Sequence, residues 1–131
     1  MAPAYQSHEL KYLFKKFADS LSPFHIHYTN PMLFITQLIY VIEGQEAVFD
    51  QFESVAIPTI LQYNGRLLLR VRPDDQAIIE QHIDKPYEIH LVEFDSEQDF
   101  KNFMQDEERK KFLHLKEQSI KATVLVQGTR L

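Results

Sequence analysis

Hydrophobic positions recur at two different spacings along this chain, and the spacing separates strands from helices. Alternation at every second residue is typical of a strand with one buried face, and recurrence every three to four residues is typical of an amphipathic helix. Pro31, Gly44 and Pro86 are turn signals between such segments. The pattern predicts a helix over 7–21, a connector over 22–32, a strand over 33–42, a helix over 45–63, a strand over 66–72, a polar loop or short helix over 73–85, a strand over 87–94, a helix over 96–115 and a strand over 120–127.

Local signals place the ends of the two later helices. Pro58 lies inside the helix over 45–63, so we expect a kink or a break just before it. Asn64 and Gly65 end this helix, because Gly tolerates the left-handed conformation at a helix terminus. Ser96 is the predicted N-cap of the last helix, and Asp99 stands at the capping-box position.

After the first helix, the order of elements is β-α-β-β-α-β. Two βαβ halves of similar length are typical of the ferredoxin-like α+β fold, in which an antiparallel four-stranded sheet carries its helices on one face. The sequence therefore predicts a ferredoxin-like domain over 33–131. An additional N-terminal helix and its connector, over 1–32, precede it.

Alternation within the strands sorts their residues onto two faces of the sheet. The set predicted to face the helices is Phe34, Thr36, Leu38, Tyr40, Leu67, Leu69, Val71, His90, Val92, Phe94, Ile120, Ala122, Val124 and Val126. The opposite set is Ile35, Gln37, Ile39, Val41, Leu68, Arg70, Ile89, Leu91, Glu93, Thr123 and Leu125. This second face is too apolar to contact water, so we expect a homodimer that covers it with a second copy. Arg70 and Glu93 are expected to pair across or within that interface.

The composition narrows the classes of function. The chain has 131 residues, a formal net charge of -5 and no cysteine. An acidic balance argues against nucleic-acid binding and against an anionic membrane surface. The lack of cysteine excludes disulfides, thiol catalysis and iron–sulfur clusters. We see no signal peptide and no apolar segment long enough to span a membrane, so we expect a cytoplasmic protein.

His90 is the main candidate for chemistry, because we expect it between sheet and helices near Tyr40, Thr36, Tyr63 and His114. A His beside tyrosines in a dry pocket can act as an acid or a base on an enolisable or phenolic substrate. His90, Tyr40 and Tyr63 are therefore the predicted catalytic residues, and Thr36 and His114 are predicted ligand contacts. The alternative is a core histidine whose ring nitrogens are satisfied by its neighbours.

The cationic row of Arg66, Arg70 and Arg72 supplies one further predicted ligand contact, Arg70, since Arg can bind a carboxylate through two hydrogen bonds. The alternative is a row of solvated or interface-paired arginines. His25 and His27 resemble the start of a metal site but lack a third ligand with a characteristic spacing, so we predict neither a metal nor a cofactor. The charged segment 106–111 is expected to be the solvated side of the last helix.

Two longer segments resemble a known superfamily. "YVIEGQEAVFDQFESVAIPTILQYNGRLLLR" and "KPYEIHLVEFDSEQDFKNFMQDEERKKF" are similar to the two halves of the dimeric α+β barrel proteins, over roughly 33–128. The matching positions are Gly44, Glu46, Phe49, Phe52, Glu53, Ala56, Pro58, Tyr63, Gly65, Arg66, Lys85, Pro86, Val92, Glu93, Phe94, Ser96, Phe100, Asp106, Glu107 and Glu108. The most similar branch is a small uncharacterised family related to antibiotic-biosynthesis-type monooxygenases.

This resemblance implies a ferredoxin-like domain that dimerises through its sheet. It also implies a protein that binds a small organic molecule between sheet and helices, or a cofactor-independent monooxygenase-like enzyme. The sequence leaves open a second possibility, a non-catalytic dimeric module that has a structural or interaction role and no substrate.

Overall fold

The structure is a computed structural model that describes residues 32–131. The predicted N-terminal helix, its connector, and His25 and His27 lie outside the described residues. The elements are β1 (Leu33–Val41), α1 (Glu46–Ile60), a 3₁₀ turn (Leu61–Tyr63), β2 (Gly65–Val71), a 3₁₀ turn (Asp75–Ala77), β3 (Glu88–Phe94), α2 (Glu97–Met104), α3 (Glu107–Lys110), α4 (Leu113–Ser119) and β4 (Ile120–Gly128).

The four strands form one antiparallel sheet in the order β2-β3-β1-β4. This is the strand order that two interleaved βαβ halves produce, so the predicted ferredoxin-like α+β fold is confirmed. The helices pack against one face of the sheet. Within residues 32–131, no helix has the length and apolar character needed to cross a membrane.

The core forms where α1 and α2 pack against the sheet. The buried residues of α1 recur every three to four positions, which places them on one side of the helix: Phe49, Phe52, Glu53, Ala56, Thr59 and Ile60. Phe94 of β3 packs against the rings of Phe100 and Phe103 of α2, with centroids 5.5 Å apart in both pairs. One acidic residue, Glu53, therefore lies on this largely apolar helix face.

The inward face of β3 is as predicted, whereas that of β1 is the opposite of the prediction. His90, Val92 and Phe94 are buried, and Ile35 pairs with Val92 and Gln37 with His90. Directly paired residues share a face of the sheet. The inward set of β1 is thus Leu33, Ile35, Gln37 and Ile39, and the predicted Phe34, Thr36, Leu38 and Tyr40 lie on the outer face. The prediction was wrong because both sets are apolar enough to form a core.

Irregular pairing explains the remaining errors in the assignment of faces. The register of β2 against β3 shifts between Leu67 and Leu69, so Arg70 pairs with His90 and lies on the inner face. Leu69 and Val71 lie on the outer face, opposite to the prediction. In β4, Thr123 pairs with Ile39 and Leu125 with Gln37, so these two residues lie on the inner face and Ala122, Val124 and Val126 on the outer one.

The region predicted as one helix over 96–115 contains three. Ser96 is the N-cap of α2, as predicted, since its hydroxyl accepts from Asp99 N at 3.1 Å. Asp106 begins α3 because its carboxylate accepts from Arg109 N at 2.7 Å, which offers the backbone an alternative to a continuous helix. Asp106 and Arg109 are buried, so the segment 106–111 is not simply a solvated face.

Two details of the α1–β2 connection also differ from expectation. α1 continues through Pro58 without a break. The left-handed residue after it is Asn64, with φ 56°, rather than Gly65. Gly65 is required for a different reason, since a Cβ there would lie 2.5 Å from Cε1 of Phe94.

Candidate functional site

A cavity of about 200 Å³ lies between the inner face of the sheet and the helices. Most of its wall is apolar and comes from β1, α1, β3 and α2. Six of its lining residues are polar or ionisable, and they come from six different elements: Gln37, Glu53, His90, Arg109, Lys116 and Thr123. Pockets for small molecules commonly combine apolar walls with a few convergent polar groups, so this cavity is the candidate functional site.

His90 is held in this cavity by a hydrogen bond to Glu88. Its side chain is 3% exposed, and His90 Nε2 lies 2.6 Å from Glu88 Oε2. Burial lowers the pKa of His90 below its ordinary value, and the hydrogen bond to Glu88 offsets this only in part. The imidazole is therefore neutral at pH 7. When Nε2–H donates the hydrogen bond to Glu88, Nδ1 carries a lone pair that can accept a proton.

Two arginines keep Glu88 ionised although it is only 2% exposed. Arg70 Nε lies 3.0 Å from Glu88 Oε2, and Arg72 Nη2 lies 2.9 Å from Oε1. Burial works to raise the pKa of Glu88, but the hydrogen bonds from Arg70, His90 and Arg72 outweigh it and lower that pKa. Arg72 Nη2 also lies 3.0 Å from Asp50 Oδ1, so the network extends from the buried imidazole to the protein surface.

Glu53 projects into the cavity from α1. It is 7% exposed, and within residues 32–131 its carboxylate has no cation within 4.0 Å and no hydrogen-bond partner. Burial, followed by repulsion from Glu88, raises its pKa to about 7, against the attraction of Arg70, Arg109 and Lys116. A carboxyl group that titrates near neutral pH is a candidate acid or base.

Arg109 of α3 and Lys116 of α4 bring positive charge to the same cavity. Arg109 is 6% exposed, and its guanidinium lies over the rings of Phe103 and Phe52, 5.2 and 5.8 Å from their centroids. Burial lowers the pKa of both Arg109 and Lys116. The Nε of Arg109 is buried and makes no hydrogen bond to any described residue.

Six site residues were predicted from the sequence. Of these, His90 lines the cavity, and Arg70 pairs with His90 on the neighbouring strand and contacts Glu88. Thr36 lies on the outer face of the sheet because β1 has the opposite facing. Tyr40 also lies there, and its hydroxyl donates to the carbonyl oxygen of Asp84 at 2.7 Å. His114 is exposed on α4 and does not line the cavity.

Tyr63 has a supporting position rather than a place in the cavity wall. Its hydroxyl donates to Asp106 Oδ1 at 2.6 Å, and the other carboxylate oxygen of Asp106 caps α3. The hydrogen bond from Tyr63 lowers the pKa of Asp106. Tyr63 thus connects the end of α1 to the start of α3 and positions the helix that carries Arg109.

Sequence reasoning missed Glu53, Glu88, Arg109 and Lys116 as site residues. A signal existed for two of them. Glu53 follows Phe49 by four positions on the apolar stripe of α1, and Lys116 stands midway between Phe112 and Ile120. An ionisable residue at four-residue spacing from buried apolar residues lies on the same side of the helix and is expected to be buried with them. Arg109 gave no comparable signal, because its burial depends on the helix break at Asp106.

No protein-family model and no curated protein matches this sequence. Solved structures match at the level of the fold. A protein of unknown function from Rhodopseudomonas palustris aligns with a TM-score of 0.68 and 10% identity, over 99% of this chain and 95% of that one. A candidate antibiotic biosynthesis monooxygenase from Bacteroides thetaiotaomicron aligns with a TM-score of 0.57 and 14% identity, over 78% of this chain and 90% of that one.

A third structure, from Bacteroides fragilis, is described as a dimeric protein of unknown function with a ferredoxin-like fold. It aligns with a TM-score of 0.56 and 14% identity, over 79% of this chain and all of that one. The chain has a ferredoxin-like α+β fold. At these identities the similarity concerns architecture alone, because one fold carries many unrelated functions.

Proposed function

We propose that the protein binds a small organic molecule in the cavity between sheet and helices and transfers a proton to or from it. The observation that carries this proposal is the position of His90, buried at the cavity wall and hydrogen-bonded to Glu88. An apolar cavity of about 150 Å³ is sufficient to bind benzene. The cavity of about 200 Å³ therefore has room for one ring with a small substituent.

The His90–Glu88 pair is suited to general base catalysis. His90 accepts a proton at Nδ1 from an acidic O–H or C–H of the ligand, and the imidazolium that results is stabilised by the ionised Glu88. Arg70 and Arg72 prevent Glu88 from taking that proton, since they lower its pKa. The same step generates an electron-rich phenolate or enolate. A cofactor-independent monooxygenase needs such an anion, because the substrate itself supplies the electrons that reduce O₂.

The test uses 4-nitrophenol, whose anion absorbs visible light and therefore reports its own ionisation. At ten times its dissociation constant it should raise the melting temperature by about 5 °C. In the bound state a larger fraction of the dye should be ionised than in free solution at the same pH. His90→Gln should decrease the ionised fraction of the bound dye without preventing binding, and the matched change His82→Gln, at an exposed histidine, should not.

A second variant tests occupancy of the cavity independently of the proton. Ala56 is buried at the cavity wall, so Ala56→Leu decreases the free volume and should weaken dye binding. The proposal fails if neither the dye nor a panel of ring-sized neutral compounds stabilises the native protein. That result would favour the non-catalytic dimeric module, whose cavity holds no ligand.

We further propose that the protein is a homodimer formed through the outer face of the sheet. Strand pairing places an apolar group on that face: Leu38, Leu69, Val71, Ile89, Leu91, Val124 and Val126. Leu69, Val124 and Val126 are each about half exposed, and among the described residues nothing covers them. Apolar faces of this kind are typical of interfaces, and a two-fold contact buries the same face on both copies.

The dimer is tested by measuring mass in solution with light scattering at micromolar concentration. The native protein should have the mass of two chains. Val124→Lys places a charge on the outer face and should shift the equilibrium to monomer, whereas Ile79→Lys, at a fully exposed loop residue, should leave the dimer intact. A native protein with the mass of one chain contradicts this proposal.

A further inference from the structure

Three ionisable side chains in the cavity take no part in the His90–Glu88 pair. Glu53, Arg109 and Lys116 come from α1, α3 and α4, and all three line the cavity. Within residues 32–131, none of the three has an oppositely charged atom within 4.0 Å, although ten such contacts between Lys or Arg and Asp or Glu occur elsewhere in this part of the chain. Among the described residues they therefore form no ion pair, and no charge in this part of the chain occupies theirs.

Arg109 is the most informative of the three. It is more than nine-tenths buried, yet among residues 32–131 its Nε has no hydrogen-bond partner, and its Nη1 has only a long contact of 3.4 Å to the carbonyl oxygen of Met104. Buried polar groups in folded proteins are almost always hydrogen-bonded, and a buried charge without partners is costly. A guanidinium held at a cavity wall, with its Nε unpaired among the described residues, is suited to an anionic acceptor in the cavity.

The net charge of the cavity wall supports the same conclusion. His90 is neutral, and Glu88 is already paired with Arg70 and Arg72. Arg109 and Lys116 then contribute two positive charges, against a single carboxyl group at Glu53. The rings of Phe52 and Phe103, which flank Arg109, provide an apolar surface beside the cationic one.

We propose that the occupant of the cavity is a small monoanionic organic acid of about the size of benzoate, bound as the anion. Arg109 and Lys116 hold its charged group, and its ring or alkyl group packs against the aromatic wall. Glu53 is protonated in this complex and faces the ligand as a hydrogen-bond donor. This inference rests on the proposed function, since it specifies the class of molecule that the same cavity binds.

A proton on Glu53 gives the binding a defined dependence on pH. The charged groups that face Glu53 are Glu88 and Arg70 from the sheet and Arg109 and Lys116 from the helices, and its pKa in the empty protein is about 7. A bound anion repels the ionised carboxylate, so it raises this pKa further and binding takes up a proton. Affinity should be constant below that pKa and decrease above it, by at most about tenfold per pH unit.

The experiment is calorimetric titration of the native protein with benzoate and with its neutral analogue benzamide, about one pH unit below the pKa of Glu53 and about one unit above it. Benzoate should bind at least about tenfold more tightly than benzamide at the lower pH, the value expected for one charge-assisted hydrogen bond. Its affinity should decrease at the higher pH, and its binding enthalpy should depend on the buffer because a proton is taken up. Glu53→Gln should remove both effects.

Variants at the cations separate a binding role from a structural one. Arg109→Met and Lys116→Met should each weaken benzoate binding about tenfold while leaving benzamide binding unchanged. Lys110→Met, an exposed position on the same helix as Arg109, is the matched control. Arg109→Lys retains the charge and should retain the preference for the acid, which keeps the proposal testable if Arg109→Met fails to fold.

Two negative results have different meanings. Equal affinity for benzoate and benzamide in the native protein overturns the assignment of an organic acid and leaves the proposed small-molecule binding intact. If neither compound binds, and the panel of ring-sized compounds also fails to stabilise the protein, the proposed function is overturned and this inference with it.

Discussion

The native protein should lose about 3 kcal/mol of stability as the pH rises from about 4.5 to about 7, because of Glu53. Replacing Glu53 by Gln should abolish this pH dependence. The free energy of unfolding is the quantity to measure, by urea denaturation at several pH values across this range. Glu53 ionises near pH 4.5 in the unfolded chain but near pH 7 in the fold. Over that range the folded state therefore binds more protons than the unfolded state.

The direction of the effect follows from this proton count. Stability decreases with rising pH wherever the folded state binds the extra proton, and it is constant with respect to Glu53 above pH 7, where both states have lost it. Gln does not titrate, so the difference in unfolding free energy between variant and native protein should grow in favour of the variant from about pH 4.5 to about 7. A difference that is independent of pH would show that Glu53 ionises as it would in water.

Replacing Glu88 by Ala should destabilise the fold by about 3 kcal/mol at neutral pH. Glu88 accepts hydrogen bonds from His90, Arg70 and Arg72, and its removal leaves all three without this acceptor. The two arginines are more than one-third exposed and regain water, which keeps the loss at the lower end of the range for a broken buried ion pair.

Two further measurements make this expectation specific. Asp75→Ala breaks the exposed contact with Lys85 and should have little effect, because exposed ion pairs contribute little to stability. In the Glu88 variant, the pKa of His90 followed by NMR should decrease further, since Glu88 is the partner that raises it. A loss of stability no greater than in the Asp75 control would mean that the network around Glu88 does not contribute to folding.

These two carboxylates have opposite roles in the function that we propose for the cavity. Glu88 is kept ionised by two arginines and orients the base, and Glu53 is kept near its titration point by burial. Carboxylates whose pKa values are shifted in opposite directions within one site are a common basis for the division of acid and base roles.

The elements of the fold could be predicted from the sequence because their signals are local. The capping group at Ser96 and the turn at Asn64 and Gly65 mark boundaries, and the alternation of β3 correctly placed His90 on the inner face. The prediction of one long final helix failed, however. Charged residues at helical spacing indicate helix without showing where Asp106 starts a new one.

The candidate site could be predicted only in part. His90 followed from the parity of a single strand, whereas Tyr40 and Thr36 were misplaced because both faces of β1 are apolar. Arg70 was chosen as a ligand contact but assigned to the wrong face, since a shift in strand register after Leu67 reverses the facing of every later residue in β2.

Hydrophobic periodicity and helix caps depend on neighbours a few residues apart, so the order of the strands and, through it, the ferredoxin-like fold could be predicted from local signals. Which face of β1 is buried, and how Glu53, His90, Arg109 and Lys116 meet around one cavity, depends on contacts between residues that are distant in sequence. These residues lie on separate elements. Their burial, and therefore their charges and pKa values, depends on how those elements pack against one another.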